Sequence, residues 1–134
     1  MLPAPLWVKV SPCLAAEQYA ALMRVFAETG VRAVVATNTL SQPTPDGSTV
    51  AGVAGGRLRS PALAAVEQLS RARTEGSYPV DIIGGGGILT GAHLRAFQNA
   101  GASAAMIYSA LVFRGPLAAA LILNELEKGN PSHG

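Results

Sequence analysis

Four short apolar runs punctuate the chain: Leu6-Trp7-Val8-Lys9-Val10, Ala33-Val34-Val35-Ala36-Thr37, Val80-Asp81-Ile82-Ile83 and Ala104-Ala105-Met106-Ile107-Tyr108. Near-continuous hydrophobicity over four or five residues is the pattern of strands buried on both faces, as in a parallel sheet. Between the runs the apolar positions take helical spacing. Tyr19, Leu22, Met23 and Phe26 fall at i, i+3, i+4 and i+7 and predict one apolar stripe, ending at Gly30, which accepts a left-handed backbone. Ser60-Pro61 predicts a second helix start, with Leu63, Val66 and Leu69 on its apolar side. Thr90 is placed to cap a third helix carrying Leu94 and Phe97 and stopping at Gly101. Gly115-Pro116 opens a last helix with Leu117, Leu121 and Leu126, closed by Gly129, and residues 130–134 read as a flexible tail.

Strand and helix alternate, which predicts the α/β class. The stretch Gly30 to Asn38 is echoed by Gly101 to Ser109: a helix-ending glycine, a buried strand, then polar groups at the strand's C-terminal end. In α/β proteins those ends face the mouth of a barrel or the crevice of an open sheet, where ligands bind. Four such units fit half of a (β/α)8 barrel or a four-stranded open sheet, and the repeat does not choose between them.

Composition narrows the function classes. The chain has 134 residues, 49% hydrophobic and 13% charged, with 15 glycines and a net charge of +2. That fits one folded domain and excludes disorder. The scattered Lys and Arg residues form no stripe for a nucleic-acid backbone. Cys13 is the single cysteine, and His93 and His133 lie far apart, so neither a disulfide nor a metal centre is expected. No leader pattern opens the sequence and no apolar run nears the ~18 residues of a membrane span, so the expected setting is cytoplasmic.

The strongest chemical signal is Ile82-Ile83-Gly84-Gly85-Gly86-Gly87-Ile88, a strand running into four glycines ahead of a capped helix. Glycine lets backbone N–H groups approach an anion, so the segment suits a phosphate, although tight turns also use glycine. The spacing does not match Gly-x-Gly-x-x-Gly, which argues against a dinucleotide. Tyr108-Ser109 ends the last strand; as the loop after an eighth strand it would share a phosphate with the glycine loop of a seventh. Lys9 interrupts an apolar strand and should either reach solvent or meet negative charge. Thr37-Asn38-Thr39 ends the second strand with groups able to read a planar imide. The long connection from Asn38 to Ser60, rich in Pro and Gly, is expected to be a lid or binding loop. Cys13 has no nearby His or Lys to activate it and is read as inert.

Taken in order, Lys9, Thr37-Asn38-Thr39, Gly52-Val53-Ala54-Gly55, Ile82 to Ile88, Ala100-Gly101-Ala102-Ser103, Tyr108-Ser109 and Arg114-Gly115-Pro116 resemble the dihydroorotate dehydrogenase family. Each motif alone is weak, while the ordered set from Trp7 to about Glu127 is specific. The resemblance implies strands five to eight of a (β/α)8 TIM barrel. It implies FMN contacts from Lys9, Thr37, Gly55, Gly87, Tyr108 and Ser109, and orotate contacts from Asn38 and Thr39. It further implies oxidation of dihydroorotate to orotate in pyrimidine biosynthesis, with the catalytic Ser or Cys base on the first four strands, outside this sequence. Partners would then be the missing barrel half or further copies joined through open sheet edges.

The sequence departs from the family at Cys13, where an Asp is usual. It departs again at Val53-Ala54-Gly55-Gly56-Arg57, where Leu-Ser-Gly-Arg-Pro is usual, and at Gly85, where Val is. The alternatives from other classes are a non-catalytic half-barrel that binds FMN or another phosphate, and a fragment of a different FMN barrel such as a dihydrouridine synthase relative.

Overall fold

The computed structural model describes residues 4–129; the expected flexible tail lies outside them. Four parallel strands, β1 (Trp7–Val10), β2 (Ala33–Ala36), β5 (Asp81–Gly85) and β6 (Ala104–Met106), form one sheet in the order β1-β2-β5-β6. A separate antiparallel hairpin, β3 (Leu40–Pro43) with β4 (Val50–Val53), stands between β2 and the long helix α2 (Gly56–Gly76). The remaining helices are α1 (Ala16–Thr29), α3 (Gly91–Asn99), α4 (Ser109–Arg114) and α5 (Ala118–Lys128).

Alternation along the strands sorts the residues into two faces. Val10, Val34, Ala36 and Ile82 point into the main core, where Tyr19, Met23 and Phe26 of α1, Leu58, Val66 and Leu69 of α2, and Phe97 of α3 cover them. The opposite face carries Lys9, Val35, Ile83 and Ala104 in one register layer, and there Ala33, Val35 and Ile83 form a small second cluster. Burial on both faces holds for all of β2 and for most of β5. Every residue of β6 is exposed, as are Trp7 and Lys9 of β1, because these are the edges and a strand edge gains its second cover only from a neighbour.

The repeat seen in the sequence has a physical basis in how helices end. Gly30 (φ 77°) and Gly101 (φ 104°) take positive φ, and the following amides, of Val31 and Ala102, donate back to the carbonyls of Phe26 and Phe97. This six-to-one bond is the Schellman closure. One residue later, Arg32 and Ser103 donate to Leu6 and Ile82, which sets the next strand against its neighbour. The helix α2 closes the same way, with Tyr78 donating to Arg73, but its left-handed residue is Ser77 at φ 51°. Left-handed backbone costs a residue with a Cβ, and Gly removes that cost. Ser77→Gly is expected to raise stability by about 0.5–1 kcal/mol in a denaturant melt.

Two sequence expectations need correction. The helix α2 starts at Gly56, four residues before Ser60, and Pro61 lies inside it. Gly55, at φ 72°, turns the chain into the helix early, and the buried Leu58 is thereby gained for the core. The long connection after Asn38 is no irregular loop. Its first half is the β3–β4 hairpin, closed by a turn in which Asp46 accepts hydrogen bonds from Thr44 and Ser48; these hold its carboxyl down at about 2.

Candidate functional site

The C-terminal ends of β2, β5 and β6 surround a cleft of about 240 Å³. Its walls are Lys9 and Val35 from the open sheet face, Thr37 and Thr39 after β2, Ala54 and Gly55 after the hairpin, Leu58 of α2, Gly85 to Ile88 after β5, and Met106 to Ser109 after β6. Seven residues singled out from the sequence thus meet in one place: Lys9, Thr37, Thr39, Gly55, Gly87, Tyr108 and Ser109. The eighth, Asn38, does not line the cleft. Its amide donates to the Val10 carbonyl (2.8 Å), its carbonyl accepts the Thr37 hydroxyl (2.9 Å), and the residue is exposed.

Thr37 is the buried polar residue among those described, and it ties the strands together. Its amide donates to the Gly85 carbonyl at 2.8 Å, so β2 and β5 stay joined one step beyond the regular ladder. The Ala36–Thr37 peptide is cis. Thr39 is exposed and lies against Gly52 of β4, where a Cβ would run into the Thr39 side chain. Lys9 is exposed on the β1 edge and lines the cleft, so the buried lysine considered from the apolar run is not found. Among the described residues no carboxylate forms an ion pair with it.

At the far end the turn after β5 meets the turn before α2, with the Ser109 side chain beside them. Gly87, at φ 70°, packs directly on Gly55: a Cβ there would collide with the Gly55 carbonyl and sit 3.0 Å from Arg59 Cβ. The Ser109 hydroxyl lies 3.7 Å from where a Cβ of Gly55 would be. Gly56 and Ser109 are the first residues of α2 and α4, and the opening amides of a helix have no partner within it. Glycine contact, unpaired amides and a hydroxyl form a donor-rich hollow with the chemistry to hold an anion.

Behind this hollow stands a polar brace that the sequence did not announce. Arg59 Nη1 lies 2.8 Å from Nε2 of His93, whose Nδ1 accepts the Leu89 amide at 3.2 Å. Arg114 donates to the Leu89 carbonyl at 2.7 Å and pairs with Glu125, which in turn accepts the Gly91 amide at 2.8 Å. Burial and the neighbouring Arg59 charge push His93 below its ordinary value. The Arg114 hydrogen bond, then the Gly91 amide, hold Glu125 below the usual carboxylate range. Arg59 and His93 are far apart in the chain and share no periodicity, so no sequence signal joins them. Cys13 is exposed and lies outside the cleft, and no cluster of metal-ligating side chains occurs among the described residues. No helix there is long and apolar enough to cross a membrane.

Residues 2–129 match the family model described as dihydroorotate dehydrogenase. The chain is 39% identical over 117 residues to a dihydroorotate dehydrogenase (quinone) of Leptothrix cholodnii, covering 84% of this chain and 33% of that protein. A protein of the same description from Stenotrophomonas maltophilia is 41% identical over 116 residues, covering 84% and 32%. The crystal structure of the Eimeria tenella enzyme in complex with ferulenol superposes with a TM-score of 0.77 at 32% identity, over 90% of this chain and 32% of that one. Its ligand-free form gives 0.78, over 90% and 34%. The chain spans about a third of the length of the curated relatives it matches. Strand order, glycine hollow and sequence agree on one assignment: this chain belongs to the dihydroorotate dehydrogenase family.

Proposed function

We propose that this chain supplies the FMN-phosphate and orotate contacts of a dihydroorotate dehydrogenase, the enzyme oxidising dihydroorotate to orotate in pyrimidine biosynthesis, and that its four parallel strands are the fifth to eighth of the closed barrel. The observation that carries the reading is the convergence of Lys9, Thr37, Gly55, Gly87, Tyr108 and Ser109 on one cleft at the strand ends. The glycine hollow suits a phosphate because Gly87, at φ 70°, lets the turn after β5 lie directly against Gly55 beside the Ser109 hydroxyl.

FMN, when bound, would accept the hydride that leaves C6 of dihydroorotate. The amides of Gly56, Gly87 and Ser109, with the Ser109 hydroxyl, hold the phosphate. The Lys9 ammonium, with no carboxylate partner among the described residues, offers fixed positive charge where the reduced ring gains negative charge. Thr39 and, from the rim, Asn38 contact orotate. Cys13 stands away from the cleft, and the family resemblance implies a base for the C5 proton on strands outside this sequence. The relatives' names specify quinone, which favours a quinone as the acceptor that reoxidises the flavin.

Titration of the chain into free FMN tests this directly. Quenching of flavin fluorescence is expected, and Ser109→Ala is expected to weaken binding by about tenfold, the worth of one hydrogen bond to a charged group. Absence of quenching would remove the flavin reading. Because the chain spans a third of its relatives, a second reading is a half-barrel that binds FMN without catalysis; quenching with no dihydroorotate oxidation supports it.

A further inference from the structure

Two glycines in succession, Gly86 at φ 141° and Gly87 at φ 70°, carry the chain out of β5. Glycine has the widest backbone freedom, so a turn built from it does not hold one shape by itself. A ligand that needs a single shape must then order the turn as it binds, and that ordering opposes affinity. Restraint has to come from side chains outside the turn.

That restraint comes from three helices and converges on Leu89, two residues beyond Gly87. Side chains take both backbone polar groups of Leu89. Its amide donates to Nδ1 of His93 on α3 at 3.2 Å, and its carbonyl accepts from Arg114 at the end of α4 at 2.7 Å. Arg114 pairs with one carboxylate oxygen of Glu125 on α5, and the other oxygen accepts the Gly91 amide at 2.8 Å. A planar guanidinium meets a carbonyl and a carboxylate at once because its donors lie in a fixed fork. Gly91 itself is pressed against α5, where a Cβ would run into the backbone of Glu125 and Leu126. Among the described residues Arg114–Glu125 is the one ion pair.

The two ends of α4 serve the same corner. Ser109, whose hydroxyl lies beside Gly55 in the hollow, is the first residue of α4, and Arg114 is the last. Six residues of helix set them about 8 Å apart along its axis. A helix this short does not keep its shape alone. Ala110, fully buried, seats its start, and Arg114 ties its end to Leu89. Ser109 and Gly87 are thus joined through one short helix and one guanidinium.

We propose that Arg114 and Glu125 are positioning residues, which fix the turn after β5 against Ser109 so that the hollow stands preformed before a phosphate arrives. Neither side chain lines the cleft, so both act through the turn. This role rests on the phosphate reading of the hollow given above.

Amide exchange followed by NMR, together with FMN titration of the chain, tests the role. The Leu89 amide, bonded to His93, reports on the turn without touching the pair; the Ser103 amide, bonded to Ile82, reports on opening of the sheet. In Arg114→Met, exchange at Leu89 is expected to quicken about tenfold relative to Ser103, and FMN binding to weaken about tenfold. Glu125→Gln keeps an oxygen for Gly91 and loses the charge, so it should fall between the parent and Arg114→Met in both readouts. A pair that only stabilises the fold would quicken Leu89 and Ser103 together and leave the affinity of the folded chain unchanged, which would overturn the proposal. Parent-like exchange at Leu89, or faster exchange there with parent-like FMN binding, would overturn it as well. Should the parent itself fail to quench FMN, the flavin reading falls separately, and the Gly87 and Ser109 amide resonances decide the positioning role. Both are expected to shift in Arg114→Met, and unmoved resonances would overturn it.

Discussion

Gly87→Ala is expected to abolish flavin quenching and to destabilise the fold by about 2–5 kcal/mol. Two costs add. The backbone at Gly87 has φ 70°, where an Ala residue is penalised by about 1–2 kcal/mol. The new methyl group also meets the Gly55 carbonyl and the Arg59 side chain, an overpacking of about 1–3 kcal/mol. The chain can relieve the clash only by parting the turn after β5 from the turn before α2, which opens the hollow between Gly55, Gly87 and Ser109. Urea melts read the stability, and FMN titration reads the site. A variant that melts like the parent and still quenches FMN would show that the close approach of Gly87 to Gly55 is dispensable.

Phe97→Ala should cost about 3–5 kcal/mol without touching the cleft. Phe97 is fully buried, and its ring lies over Gly84 of β5, where a Cβ would meet Phe97 Cδ1 at 2.5 Å. The pair is complementary: the strand gives up a side chain so that the helix can place an aromatic ring against its backbone. Removing the ring leaves a cavity that Gly84 cannot fill. The midpoint of a chemical melt should fall with little change in slope, and a loss under about 1 kcal/mol would mean that α3 collapses onto the strand.

Much of this architecture was legible beforehand. The four apolar runs became the four parallel strands, and Gly30 and Gly101 ended helices because a left-handed closure needs a residue without a Cβ. Thr37, Thr39, Gly87, Tyr108 and Ser109 were readable because strand C-terminal ends in α/β proteins share one rim, whereas Gly55 came only from the family resemblance. What failed was whatever depends on neighbours outside the local pattern. Ala104 to Met106 read as buried because they are apolar, yet they form an edge, and hydropathy carries no information about what lies beside a strand. The hairpin was missed because Leu40 to Pro43 and Val50 to Val53 are short, with a proline and a glycine among them. The early start of α2 depended on the positive φ of Gly55, which a Ser-Pro signal four residues later concealed. Arg59 and His93, on different helices, could be joined only by folding.

The carboxylate of Glu125 on the Gly91 amide has one more consequence. The mouth of α3 is occupied from within: Thr90 takes the His93 amide, and Glu125 takes the first amide of the helix. An incoming phosphate therefore finds that berth already filled by the protein's own negative charge. Under the proposed function the flavin phosphate would therefore face the opening amides of α2 and α4 beside Gly55 rather than those of α3.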